Sequence, residues 1–353
     1  MVYLTIIILT FNLICINKLQ GSSMQLTTLR QSSSTTVKLA SACALALLLP
    51  LQAYAETKSN ADLALIEQCS SHYQAADSHS LKLVSDKLLF LEGPTWSVAD
   101  QAFYFSEMNF SGSQLNGPDA NIYQYKLNHK PTLWLSHSGS NGLLADGNDL
   151  YVLKHSDRSV NKINLSTQKQ TVVVNQFDGK PFNSPNDISQ HSNGGIYFSD
   201  PDWQLSERKN ELNSTSVFWL SASGELVELD QLNKPNGVVL SPDEHWLYVG
   251  DYSNHIYRYP VNNDGSVGER QPFIDVDGPD GITIDCAGNL YVASHSQGKL
   301  QIYSPEGKLH QSIAVAPQIT NMDFGGKDMK TLLITTGNGL FTLQTQMAGI
   351  ARK

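Results

Sequence analysis

The stretch "NSPNDISQHSNGGIYFSDP", residues 183–201, sets a pattern that recurs further along the chain. It returns as "NKPNGVVLSPDEHWLYVGD" at 233–251 and as "DGPDGITIDCAGNLYVASH" at 277–295. Each copy runs from proline to an amide or acid, then Asp or Gly, a short apolar run, a turn and an aromatic-centred strand. Fainter copies extend the series in both directions. Strand cores centre on Tyr104, Tyr151, Tyr197, Tyr248, Tyr291 and Leu333, at successive gaps of 47, 46, 51, 43 and 42 residues.

A second alternating segment follows most of these cores, as in "HIYRYPV" and "KLQIYSP", and no helical period appears after residue 80. Several short strands repeating at this interval are the signature of propeller blades. The spacing predicts an all-β chain folded as a six-bladed β-propeller over residues 89–347. A β-sandwich also has many short strands but would not keep so regular a period. Residues 56–88 read as an N-terminal extension, with "IEQCSSHYQAADSHS" as a short helix or cap.

Counting back from each strand core finds a polar side chain at a nearly constant offset. Glu92, Asn141, Asn186, Asn236, Asp280 and Asn321 precede their cores by 12, 10, 11, 12, 11 and 12 residues. These positions are equivalent, one per blade, and they head the strand that lines a propeller's channel. Six such side chains should meet at the axis on one face. Two carboxylates and four amides offer only oxygen donors and a charge of −2. That set suits one divalent ion, Ca²⁺ before Mg²⁺ or Mn²⁺, with zinc least favoured for want of nitrogen and sulfur. Taken singly, Asn-Gly, Asp-Gly and Pro-Asn are ordinary turn dipeptides, and only their common offset argues for a site.

Residues 1–55 read as a leader. Lys38 precedes a short apolar run that closes on Ala53-Tyr54-Ala55, which predicts a signal peptide cleaved after Ala55 with Met24 as the working start. The earlier apolar run "MVYLTIIILTFNLICIN" is attributed to a mis-assigned start, with a membrane anchor as the alternative. A periplasmic or secreted protein is expected, free of the membrane after cleavage. The whole chain carries a net charge of −9. Beyond residue 55 the acids outnumber Lys and Arg further still, which argues against a nucleic-acid partner. Cys69 and Cys286 remain after cleavage. An oxidising compartment would allow them to pair, yet one precedes the repeats and the other sits in a turn, so their pairing stays open.

The segments "LEGPTW" at 91–96, "SPND" at 184–187, "KPNGVVLSPDEHWLYVGD" and "GPDGITIDCAGNLYVAS" resemble the SMP-30/gluconolactonase/luciferin-regenerating-enzyme family. The likeness runs in order from about Leu89 to Leu343. It implies a metal held by Glu92, Asn186, Asn236 and Asp280, which are four of the six ring positions. Asn141 and Asn321 are then left either as supports for the metal ligands or as substrate contacts. Many bacterial members carry an arginine shortly before the PND motif, where this chain has Pro181 and Phe182, so that substrate contact is not carried over.

The resemblance further implies hydrolysis of a lactone, typically an aldonolactone such as gluconolactone, to its hydroxy acid. A bound cation polarises the carbonyl, and Asp280 is assigned to assist the attacking water as base or, failing that, as nucleophile. His155, and Asp200 with Trp203 in "SDPDW", are added as substrate contacts near the pocket mouth. His295 is weighed and left outside the catalytic set, because a histidine after a strand is commonly a turn residue. Tyr123, Trp134, Trp219 and Trp246 read as packing between blades. Two other functions share the scaffold: a phosphotriester or aryl-ester hydrolase on the same metal, and a non-catalytic ligand-binding propeller. Oligomeric state is not legible.

Overall fold

The computed structural model of the chain describes Cys69 and residues 72–350, apart from 113 and 114. The leader, its start and its cleavage site lie outside these residues. Six four-stranded antiparallel sheets account for nearly all regular structure, and a single 3₁₀ turn at His295–Gln297 is the one helical element among the described residues.

The innermost strands of the sheets are Phe90–Ser97, Ser140–Asp146, Ile188–Gln190, Pro235–Leu240, Pro279–Ile284 and Ile319–Gly325. Each adjoins the next around a cycle, and the sixth adjoins the first. That closure makes the six sheets the blades of a propeller, as the spacing predicts. The recurrent cores at Tyr104, Tyr151, Tyr197, Tyr248, Tyr291 and Leu333 all fall in the second strands.

Apolar packing lies between blades. Leu144 and Leu153 of the second blade meet Phe198 and Phe218 of the third. Tyr197 and Trp219 of the third meet Val238 and Val249 of the fourth. Val239 and Tyr248 of the fourth meet Ile282 and Val292 of the fifth. A sheet pleated with apolar side chains on both faces has no free face to solvate, which is why these strands read as near-continuous apolar runs. Trp134, Trp246 and Tyr123 pack against these clusters as expected.

One feature of the N-terminal arm differs from the sequence reading, and a second is one that the sequence left open. Asp77–Ser85 is a strand, not a helix or cap, and it pairs antiparallel with Leu340–Gln344 as the outermost strand of the sixth blade. The propeller therefore begins twelve residues before the expected boundary at 89. Its exposure pattern shows why the strand was missed, since most of its residues are exposed or half-buried without clean alternation. Cys69 and Cys286 are joined in a disulfide across 217 residues of sequence. The arm between them is tied to the outer strand of the fifth blade. Tyr73 Oη donates to Gln311 Oε1 at 2.6 Å, and Gln311 exchanges hydrogen bonds with the Ala76 backbone at 3.0 Å each way.

Candidate metal centre

Glu92, Asn141, Asn186, Asn236, Asp280 and Asn321 are all buried at the start of the six inner strands. The face where those strands begin is called the top face below. In five blades the ladder between first and second strands slips across the hub residue. The slips fall between Glu92 and Thr95, Ser140 and Leu143, Pro235 and Val238, Pro279 and Ile282, and Ile319 and Asn321. A β-bulge re-aims the side chain it carries and is a common device beside active sites. In these five blades the irregularity falls at the polar residue that heads the strand.

The glycine after the hub residue makes the ring tight. A Cβ on Gly142 would stand 2.2 Å from the Asn186 carbonyl oxygen, and one on Gly93, at φ +50°, would stand 2.4 Å from that of Asn141. Gly142 N also donates to Asn186 O at 2.7 Å, stitching the second blade to the third. A Cβ on Gly281 would fall 2.0 Å from the Asn321 side chain. Hydroxyls in the second strands brace the next blade's hub carbonyl. Ser106 Oγ donates to Asn141 O at 2.6 Å and Ser199 Oγ to Asn236 O at 2.7 Å. Sequence reading overlooked these serines, although both stand two residues after the aromatic strand core, in "YFS".

The electrostatics of the hub are those of crowded, desolvated acid. Burial, then the charges of Asp280 and Asp187, push the Glu92 carboxyl well above the usual carboxylate range, against hydrogen bonds from Gly93 N and Asn321. Burial also raises Asp280, against hydrogen bonds from His295 and Asn236. Glu92 thus meets Asn321 and the charge of Asp280, and Asp280 meets Asn236.

The fit to a cation rests on unmet polar atoms. Two acceptors, Asp280 Oδ1 and Asn141 Oδ1, are buried without a hydrogen-bond partner among the described residues; Asn141 Nδ2, a donor, is unmet as well and has nothing to offer a cation. A buried carboxylate oxygen left in that state costs heavily unless something compensates it. The donors are oxygens from acids and amides, and no group of three or more His, Cys, Asp and Glu side chains that could hold a metal occurs among the described residues. Such a mixed set matches a hard dication and not zinc.

His295 enters the site from outside the expected set. Its Nδ1 lies 3.0 Å from Asp280 Oδ2 and 3.1 Å from the Ile319 carbonyl oxygen. A carbonyl only accepts, so Nδ1 carries the hydrogen and shares it between the two oxygens. Burial opposes the charged imidazole, yet Asp280 more than offsets it, and the His295 pKa is raised.

His155 and Asp200, expected near the pocket mouth, are instead fully buried. His155 Nε2 donates to Pro118 O at 2.7 Å, and burial pulls the ring down to a pKa of about 4. Asp200 Oδ2 accepts from Asn183 N at 2.7 Å, and burial pushes its carboxyl up to about 7. Both hold the loops beside the hub. Phe182, at the place of the absent arginine, is buried against Phe198 and Phe218.

Residues 90–338 match the family model described as SMP-30/Gluconolactonase/LRE-like region. The chain belongs to that family. A gluconolactonase from Zymomonas mobilis is 29% identical over 298 residues, spanning 77% of this chain and 83% of that one. A 6-deoxy-6-sulfogluconolactonase from Pseudomonas putida is 32% identical over 182 residues, 40% of this chain and 62% of the other. Among solved structures, a gluconolactonase from Xanthomonas campestris superposes with a TM-score of 0.68 at 24% identity, covering 79% of this chain and 96% of that one. A calcium-binding regucalcin from Agrobacterium tumefaciens gives 0.65 at 19% identity, covering 76% and 95%. At these identities the two structures share the fold with this SMP-30/gluconolactonase member, and nothing finer is taken from them.

Proposed function

We propose that this propeller is a metal-dependent lactonase that opens a sugar lactone to its hydroxy acid. The carrying observation is the buried pair of Glu92 and Asp280, with Asp280 Oδ1 left without a partner. Family membership and the lactonase names of its relatives support the reaction class. In this reading Glu92, Asn186, Asn236 and Asp280 hold one divalent ion, Ca²⁺ by the hardness of its donors. When bound, such an ion supplies Lewis-acid polarisation of the lactone carbonyl.

The chain's own part follows from the hub. His295 and Asn236 hold the Asp280 carboxylate in one orientation through Oδ2 and its neighbour contacts. Oδ1 then faces the reacting water and accepts its proton as the water oxygen bonds to the carbonyl carbon. The ring C–O bond breaks, and the same proton passes to the departing alkoxide, leaving a free hydroxyl and a carboxyl group. A carboxylate that also binds a dication is a weak base, so orienting the water is as large a part of its contribution as taking the proton. Asn141, with its side-chain amide unmet, is left to meet a substrate hydroxyl.

Export to an oxidising compartment is part of the same proposal, and the Cys69–Cys286 bridge supports it. The test is to strip purified protein with a chelator, restore Ca²⁺, Mg²⁺, Mn²⁺ or Zn²⁺ singly, and follow acid release from a panel of lactones. Metal-restored turnover of at least one sugar lactone is expected. Turnover indifferent to chelation, or none at all, overturns the reading.

A further inference from the structure

Lys234 stands just before Pro235 and Asn236, where the fourth blade's inner strand begins. Its ammonium pairs with the Asp202 carboxylate, which follows the third blade's second strand Ile196–Asp200. The pair therefore bridges two blades on the top face. Its side chains are 36% and 34% exposed.

Ring contacts tie the pair to the reacting centre. The Lys234 ammonium lies 5.1 Å from the centre of the Trp203 ring, and Trp203 meets Tyr252 edge-on at 4.9 Å. Tyr252 lies 6.0 Å from His295, whose Nδ1 is 3.0 Å from Asp280 Oδ2. The Tyr252 N–H in turn donates to Lys234 O at 2.9 Å.

Holding the blades together is a poor use for this pair. An ion pair so exposed adds little to stability, and buried bonds already join the same two blades. Ser199 Oγ donates to Asn236 O at 2.7 Å, and Val238 N donates to Asp187 Oδ2 at 3.1 Å. Among the described residues Asp202 Oδ2 accepts no hydrogen bond, and the ammonium donates only to Asp202. The pair thus presents a free acceptor beside free donors. Two neighbouring hydroxyls, each of which both donates and accepts, are the group that uses both. An anionic substituent fits less well, because Asp202 neutralises Lys234 and a further acid, Asp251, accepts from Lys234 N at 2.8 Å.

We propose that Asp202 and Lys234 form a hydroxyl-reading subsite, which binds a vicinal diol of the substrate and selects neutral polyhydroxylated lactones. This rests on the lactonase reading and names the substrate class of that same site. Trp203 fixes the ammonium by lying under it.

The experiment uses the intact, calcium-loaded protein with glucono-δ-lactone and galactono-γ-lactone, each matched in ring size by a hydroxyl-free partner, δ-valerolactone and γ-butyrolactone. In Lys234→Gln and in Asp202→Asn, kcat/KM for the sugar lactones should fall about 10- to 100-fold, chiefly through KM, while the hydroxyl-free partners change less than about twofold. Lys234→Arg, which keeps donors in place, should lose less than Lys234→Gln. The rise in melting temperature on adding calcium should match the parent's in all three variants. An equal loss on both kinds of lactone, no loss on either, or a smaller calcium response overturns the subsite. Any of these, in a parent that opens a sugar lactone, leaves the lactonase reading standing. A parent stabilised by calcium yet inert on every lactone sinks both.

Discussion

His295 Nδ1 lies 3.0 Å from Asp280 Oδ2 while a main-chain carbonyl, that of Ile319, holds the same hydrogen at 3.1 Å. The contact joins the fifth blade's second strand end to its own first strand and to the start of the sixth blade. Asp280 therefore meets the hub with one oxygen spoken for and the other free, an arrangement in which the outer contact sets the aim of the inner ligand. Replacing His295 by alanine should weaken calcium binding and lower kcat about 10- to 100-fold. Calcium-titrated melting and steady-state turnover measure the two effects separately. Retention of both would show the contact to be incidental.

Glu92 is buried, and Asp280 and Asp187 add repulsion to its carboxylate. Glu92→Gln removes a buried charge and keeps the shape. In chelator the variant should melt higher than the parent, and the rise in melting temperature on adding calcium should shrink, reflecting affinity at least about tenfold weaker. A variant destabilised in chelator would contradict the strain assigned to this acid.

Opposed pH responses are expected from two groups beside the hub. Burial raises the Asp200 carboxyl to about 7, so its contribution is fully present below the ordinary carboxyl range and is lost as pH climbs through 7. Burial lowers His155 to about 4, so its contribution is present above the ordinary histidine value and is lost as pH falls towards 4. Asp200→Asn should therefore gain on the parent as pH rises from 5 to 8. His155→Gln should gain on it as pH falls from 7 to 4.5. Urea midpoints of chelated protein across this range give the answer, and curves that merely shift in parallel with the parent's would refute it.

The Cys69–Cys286 bridge closes a loop of 217 residues of separation. In the chain-entropy account such a long loop is worth about 5 kcal/mol. Cys69→Ser should lower the unfolding free energy by an amount approaching that, and reductant should bring the parent down to the same value. Denaturant titration with and without reductant tests both statements. Equal stability in the two conditions would mean that the arm holds by Tyr73 and Gln311 alone.

A methyl group at Gly142 would press on the Asn186 carbonyl oxygen, whereas one at Gly112 would meet nothing within 4 Å. Gly142→Ala should cost on the order of 1–3 kcal/mol and should depress turnover by spreading the hub. Gly112→Ala should do neither. Matched unfolding and activity assays separate packing at the hub from a generic glycine effect.

The fold was legible because every blade repeats one strand core at a near-constant interval, and repetition survives the noise in any single copy. The hub was legible for the same reason: Glu92 and Asp280 stand 12 and 11 residues before their strand cores, and chain symmetry converts that near-constant offset into proximity. Relations without a repeat stayed hidden. Asp77–Ser85 has no motif because an outermost strand faces water and its alternation is blurred. The disulfide joins residues whose neighbourhood is set by ring closure, which spacing alone does not reveal. His295 and Asp280 lie in one blade but on different strands, and nothing in "ASHSQG" marks the ring as turning inward. His155 and Asp200 read as mouth residues because each stands where a second strand ends; the loops that carry Pro118 and Asn183 cover them.

The sixth sector is assembled from both ends of the polypeptide, Asp77–Ser85 beside the strands that end at Gln344. A chain emerging from its N-terminus must hold that first strand idle until nearly the last residue has appeared. In the proposed centre the donors Glu92, Asn186, Asn236 and Asp280 come from the first, third, fourth and fifth sectors. Capture of an ion is therefore expected only once those sectors stand in one ring, and loss of the first strand would leave the sixth sector without its outer edge.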